Sequence, residues 1–215
     1  MIQAVLFDLD GTYADTAPDL CHALNVMRNA RGLPPVALES TRPVTSHGAR
    51  GLLGVGFSLT PEHADYLAMR TEFLNTYEQN LCRATVLFPG MSELVDALEA
   101  RGCKWGIVTN KAERFALPLM EQLRPAQGCA CVIGGDTVGR MKPHPDSLLA
   151  AARVLKVAPE ACIYVGDDSR DVQAGRAAGM RTLAVRYGYL NGSEPDAWGA
   201  DAVIDHPQDV LRYLA

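Results

Sequence analysis

Five short apolar runs, at 4–8, 104–109, 130–134, 161–166 and 181–186, alternate with helical patterns at 90–101, 112–124, 145–156 and 169–179. Runs of this length, bounded by turn residues, read as buried strands. Strands alternating with helices build a parallel sheet covered by helices on both faces. Within 90–101, Leu94, Val95 and Leu98 fall at helical spacing and Gly102 is the stop signal. A weaker strand at 202–204 and a short helix at 208–214 finish the pattern. Residues 16 to about 85 break it: they carry little strand signal and read as helices at roughly 18–31, 48–57 and 61–81. Pro18 suits a first helical turn, with Asp15 or Thr16 as its cap. The expected fold is α/β: a parallel-sheet, Rossmann-like core from residues 1–15 and 86–215, with a helical cap subdomain, residues 16–85, inserted after the first strand.

Composition narrows the function classes. The chain has 215 residues, 48% hydrophobic and 21% charged, with net charge −5 and no long basic run. That balance suits a soluble globular protein and argues against nonspecific nucleic-acid binding or a basic membrane patch. Asp8 and Asp10 interrupt the first apolar run, so it does not read as a signal peptide, and no stretch has the length of a membrane span. The expected location is cytoplasmic. The six cysteines, at 21, 82, 103, 129, 131 and 162, show neither Cys-x-x-Cys nor zinc spacing and read as reduced, mostly buried thiols. Cys129 and Cys131, two apart, are expected on one strand face. Gly51-Leu52-Leu53-Gly54-Val55-Gly56 follows no strand and has the wrong order for a dinucleotide fingerprint; close helix packing or flexibility explains it.

The first strand ends in acids: Val5-Leu6-Phe7-Asp8-Leu9-Asp10-Gly11-Thr12. Residues i and i+2 of a strand share a face, so Asp8 and Asp10 start out pointing the same way, at the strand end where such sheets bind ligands. Two close carboxylates either share a proton or hold a cation. A plain turn or helix cap is the alternative for a lone pair.

Three further segments bear on that choice. Gly106-Ile107-Val108-Thr109-Asn110-Lys111 ends a strand in a hydroxyl and an amide before a helix, as an anion site or as an N-cap. Met141-Lys142-Pro143-His144-Pro145-Asp146 places Lys142 on a loop at a helix entry. Ile163-Tyr164-Val165-Gly166-Asp167-Asp168-Ser169-Arg170-Asp171 repeats the strand, turn and acid order; capping covers one of these acids and leaves Asp167 and Asp171 for one site. Carboxylates with few other donors suit magnesium. A carboxylate can also attack phosphorus.

These four segments, in this order, resemble the motifs of the haloacid dehalogenase superfamily, and specifically its phosphatases with a helical cap after the first motif. The resemblance spans essentially the whole chain. Relatives that cleave carbon–halogen bonds carry Tyr where Asp10 stands, and phosphonate-cleaving ones carry Ala, so an acid there implies phosphoryl transfer. The resemblance implies that Asp8 attacks the phosphate ester, and that Asp10 protonates the leaving alkoxide and then activates water. Thr109 and Lys142 would steady the phosphoryl oxygens. Mg2+ would be held by Asp8, the Asp10 carbonyl and Asp167, with Asp171 assisting. Because the roles differ in protonation, Asp10 is expected to titrate above Asp8.

The implied partner is a small-molecule phosphate ester that also carries a carboxylate, with 2-phosphoglycolate first and N-acetylmuramic acid 6-phosphate close behind. Asn110, and Arg50 and His47 of the cap, are expected to contact it, Arg50 by pairing with the carboxylate. Tyr13 replaces the usual Leu after the first motif and is expected to narrow the substrate range. A monomer or homodimer is expected. A sugar-phosphate mutase would reuse the same Asp8 and Asp10, and release of free phosphate separates it from a phosphatase; a phospho-accepting signalling domain would lack the helical insertion, and its aspartyl-phosphate would persist.

Overall fold

The computed structural model describes residues 1–123 and 128–215. Six strands form one parallel sheet: β1 (Ala4–Phe7), β4 (Lys104–Val108), β5 (Cys129–Ile133), β6 (Cys162–Gly166), β7 (Arg181–Val185) and β8 (Ala202–Ile204). Their order is β5-β4-β1-β6-β7-β8, so the chain leaves β1 towards one edge and later returns to the other. β1 pairs with both β4 and β6, with Phe7 beside Ile107 and Val165. This central position explains why every β1 residue is fully buried and apolar. The ends of β1, β4 and β6 therefore lie side by side, at a topological switch point.

Helices cover both faces. α5 (Met91–Ala100) and α6 (Glu113–Leu123) pack on one, sharing a core with Val5, Phe7, Trp105 and Val165. α7 (Asp146–Leu155) and α8 (Ser169–Ala177) pack on the other, against Ala4, Leu6, Val108 and Tyr164. Odd and even β1 positions divide between the two cores, as the strand period requires. The expected helix at 112–124 runs as Glu113–Leu123, and residue 124 lies outside the described residues. The expected terminal helix is a 3-10 helix, Pro207–Tyr213.

α1 (Ala17–Asn29), α2 (Leu38–Thr41), α3 (Gly48–Phe57) and α4 (Tyr66–Gln79) come between β1 and β4 in sequence, with a 3-10 helix at Arg42–His47. Leu24, Met27, Leu53, Phe73 and Tyr77 give these helices an apolar core of their own. α4 is shorter than the expected 61–81, because residues 60–66 form turns in which Tyr66 N–H donates to His63 C=O. Where the chain enters and leaves this helical layer, β2 (Ala14–Asp15) pairs antiparallel with β3 (Val86–Leu87). Asp19, buried in α1, accepts the N–H groups of Arg83, Ala84 and Thr85 and so fixes the returning segment. Both features escaped the sequence analysis, since two-residue strands carry no periodicity. No helix among the described residues is long and apolar enough to cross a membrane.

One expectation about the sheet fails. Trp105 pairs with Cys129 but Ile107 pairs with Val132, so β5 spends three residue steps where β4 spends two. This bulge reverses the side-chain alternation. Cys129 joins the core on one face and Cys131 the core on the other, against the shared face expected from their spacing. All six thiols are free.

The glycines of α3 differ in purpose. A Cβ on Gly56 would meet the Leu24 methyl carbon at 2.5 Å, whereas one on Gly54 would meet nothing within 4 Å. Gly56 thus sets the approach of α1 and α3. Gly56→Ala should cost about 1–3 kcal/mol by overpacking, whereas Gly54→Ala should stabilise by up to about 1 kcal/mol through helix propensity. Urea unfolding midpoints of the two variants check this.

Candidate active site

The strand ends bring the expected acids together. β1 stops at Phe7, and Asp8 leaves it with its Oδ1 bound by the Leu9 N–H at 2.7 Å. β6 stops at Gly166, Asp167 follows in the turn, and Asp168 caps α8 by accepting the Arg170 N–H. Asp171 sits one turn in, its Oδ2 accepting the Asp168 N–H. Oxygens of Asp8, Asp167 and Asp171 all lie within 4.8 Å of one another. Gly166 permits this, since a Cβ there would meet the Asp171 side chain at 2.4 Å.

Lys142 holds the group together. Only 4% exposed, it reaches Asp8 Oδ1 at 2.9 Å and Asp171 Oδ1 at 2.7 Å. Burial pulls its ammonium down, but Asp171 and Asp8 outweigh burial and hold it above its ordinary value. Tyr164 supports it from below: Lys142 Nζ donates to the Tyr164 hydroxyl at 2.7 Å, and that hydroxyl donates to Val108 C=O at 2.8 Å. Asn110 lies beside the loop that carries Lys142. Its side chain donates to Lys142 C=O at 3.0 Å and accepts the Lys142 N–H at 2.9 Å, so its amide is engaged on the backbone.

The Asp8–Asp10 pair is resolved by separation. Each carboxylate has its own ammonium: Lys142 for Asp8, and Lys111, at 2.7 Å, for Asp10. Thr16 donates its hydroxyl to Asp10 as well, which is why it makes no side-chain cap at the start of α1. Asp15 does not cap α1 either; it pairs with Arg42 and the Tyr189 hydroxyl. The Asp10 carboxylate stands apart from the three-carboxylate cluster. Burial pushes the Asp8 carboxyl up to about 7, with Lys142 opposing and Asp171 adding to the rise.

Asp167 is held by the Thr12 hydroxyl at 2.9 Å and the Tyr189 N–H at 2.8 Å. Ser46, from the helical layer, donates to Oδ2, the oxygen that also accepts the Tyr189 N–H, at 3.3 Å. Burial, then the charges of Asp8 and Asp171, push the Asp167 carboxyl well up. Thr109, buried at the end of β4, accepts the Lys111 N–H and does not cap α6; Asp136 takes the Glu113 N–H there. Thr12, Thr16, Ser46, Lys111, Tyr164 and Tyr189 were missed by the sequence analysis. Thr12, Lys111 and Tyr164 lay within the quoted segments with no role assigned to them, and Thr16 was read only as a cap.

A cavity of about 650 Å³ opens above the acids, between the strand ends and the helical layer. Asp8, Asp10, Thr109, Asn110 and Lys142 line its floor, and His47 and Arg50 line its wall from the start of α3. Tyr13 does not line it. Its ring is fully buried and stacks on Trp105 at 5.6 Å, so its bulk serves the core and does not meet a bound molecule.

The donor set fits a hard divalent cation. Asp8, Asp167 and Asp171 offer three carboxylates against the single Lys142 ammonium, an excess of negative charge that burial makes costly. The raised Asp8 and Asp167 carboxyls record that cost. A group raised from 3.8 to about 7 favours folding below its unfolded value and loses that contribution as pH rises through 7. Metal-free protein should therefore lose stability as pH rises from about 4 to 8, most of it by pH 7. Asp8→Asn should raise its melting temperature at pH 8, by an order of 2 kcal/mol or roughly 4–8 °C, and leave it nearly unchanged at pH 4. Thermal melts in chelator across that pH range measure the difference.

Comparison with known proteins agrees with this geometry. Residues 5–185 match the family model of haloacid dehalogenase-like hydrolases. The chain is 44% identical over 214 residues to the N-acetylmuramic acid 6-phosphate phosphatase of Pseudomonas putida, covering 99% of this chain and 96% of the relative. It is 46% identical over 217 residues to the phosphoglycolate phosphatase of Xanthomonas campestris pv. campestris, with the same coverage of 99% and 96%. The crystal structure of a predicted phosphoglycolate phosphatase from Haemophilus somnus 129pt superposes with a TM-score of 0.87 at 24% identity, covering 100% of this chain and 98% of that one, and shares the fold. The six-stranded parallel sheet, the acids at its strand ends and the match over most of the chain place this protein in the haloacid dehalogenase-like hydrolase family.

Proposed function

We propose that this protein is a Mg2+-dependent phosphatase that hydrolyses a carboxylate-bearing phosphate monoester through an aspartyl-phosphate on Asp8. One observation carries the reading: Asp8, which borders the cavity, has Oδ1 taken by Leu9 N–H and Lys142, while Oδ2 has no protein donor among the described residues. A carboxylate fixed by one oxygen presents the other as a nucleophile. Asp8 Oδ2 forms a bond to phosphorus as the ester P–O bond breaks. Asp10 gives its proton to the departing alkoxide, then takes one from the water that cleaves the acyl phosphate. Lys142 and Thr109 steady the phosphoryl oxygens by charge and by hydrogen bonding. Asp8, Asp167, Asp171 and the Asp10 carbonyl would hold Mg2+, which would supply charge neutralisation at the phosphoryl group.

Residues 16–85 serve in this proposal as the cap, and 1–15 with 86–215 as the core. The separate apolar core of the helices and the β2–β3 pair at both crossing points support that division. The cap supplies Arg50, exposed on the cavity wall, to pair with the substrate carboxylate, and His47 beside it. 2-Phosphoglycolate is the smallest substrate of this class, and several relatives bear its name. N-Acetylmuramic acid 6-phosphate is the second reading. The cavity of about 650 Å³ and its aromatic wall of Tyr66, Phe73, Tyr77 and Phe115 favour it, since a two-carbon acid leaves such a wall untouched.

Phosphate release with Mg2+ from the two esters, side by side, tests the proposal. Wild-type protein is expected to turn over at least one, and Asp8→Asn neither. Arg50→Ala is expected to lower kcat/KM at least tenfold on the preferred ester, equivalent to about 1.4 kcal/mol. An unchanged value would remove Arg50 from the site.

A further inference from the structure

Lys111 is placed for a role that the chemistry above leaves unassigned. It is the third residue after β4, and its backbone N–H is fixed on Thr109 Oγ1 at 3.1 Å. Its side chain is 8% exposed, and its Nζ meets Asp10 Oδ1 at 2.7 Å. On the other side, the ammonium lies 4.8 Å from the centroid of the Tyr77 ring, which belongs to α4 of the helical layer. Thr16 donates to the same Asp10 oxygen. Two donors thus converge on Oδ1, and Oδ2 has no protein donor among the described residues. Asp10 also borders the cavity.

That asymmetry has a chemical consequence. An aspartate has two free side-chain torsions, and a carboxylate that must hand over a proton needs one oxygen aimed and the other held. A cation on Oδ1 also offsets the repulsion between Asp10 and an approaching phosphate dianion. Tyr77 of α4 covers the ammonium on one side.

We propose that Lys111 is a positioning residue for Asp10: it pins Oδ1, with Thr16, so that Oδ2 meets the leaving-group oxygen, and Tyr77 of the cap holds it there. The inference rests on the phosphatase reading and on the place of Asp10 in it. It is separable from a general role of the Lys111 charge in binding phosphate. A cation that only binds phosphate matters equally for every ester. One that aims the proton donor matters where the leaving group needs a proton.

The test compares an alkyl ester with an aryl ester. The alkyl ester is whichever of 2-phosphoglycolate and N-acetylmuramic acid 6-phosphate turns over faster. The aryl ester is p-nitrophenyl phosphate, whose phenolate departs without protonation. In Lys111→Met, the loss of kcat on the alkyl ester should exceed the loss on the aryl ester by at least about tenfold, as expected for a displaced proton donor. Thr16→Val removes the second donor and should shift the ratio in the same direction, which keeps the test available if Lys111→Met fails to fold. Equal losses on both esters, or no loss on either, overturn the positioning role while leaving the phosphatase reading intact. Wild-type protein that releases phosphate from neither ester fails the phosphatase reading, and the role of Lys111 falls with it.

Discussion

A buried ammonium between two buried carboxylates organises this molecule. Lys142 is in contact with Asp8 from the end of β1, with Asp171 from the first turn of α8, and with Tyr164 from within β6. A charge taken out of water is tolerated only with near-complete pairing, so these partners must arrive together. The central pairing of β1 with β4 and β6 brings them to one level. Val108 C=O, at the end of β4, accepts from the same ammonium at 3.2 Å, so four chain segments converge on one nitrogen. The same pairing leaves one carboxylate oxygen of Asp8 available, which turns a structural ion pair into a reactive site.

The electrostatics are deliberately incomplete. With one ammonium for three close carboxylates, burial pushes Asp8 and Asp167 up and their mutual repulsion adds to the rise. A divalent cation would offset that excess of negative charge. The helical layer closes over this centre with Ser46 on Asp167, Arg170 on the Ser46 carbonyl and Tyr77 against Lys111. The first of these contacts falls on an acid of the cluster itself, so the position of the helical layer bears directly on that carboxylate.

Much of this was legible in the sequence, for identifiable reasons. The parallel sheet could be read because its buried strands are continuous apolar runs such as Ala4–Phe7. The acids were legible because Asp8 and Asp167 follow such runs directly. What escaped depends on contacts between distant segments. Thr16 looks like an α1 cap and instead reaches back to Asp10. Asn110 looks like a ligand for an anion and instead clamps the backbone of Lys142. Tyr13 looks like an intrusion near Asp8 and instead stacks on Trp105. Cys129 and Cys131 are parted by a bulge that residue spacing cannot reveal.

The central claim is that Asp8 is the group that takes the phosphoryl. Rapid acid quench during turnover with Mg2+ and a phosphorus-labelled ester, followed by peptide mapping, tests it directly. The account predicts transient label on the peptide containing Asp8, at a level that precedes free phosphate. Turnover with no labelled protein at any time, or label mapped to another residue, would contradict it.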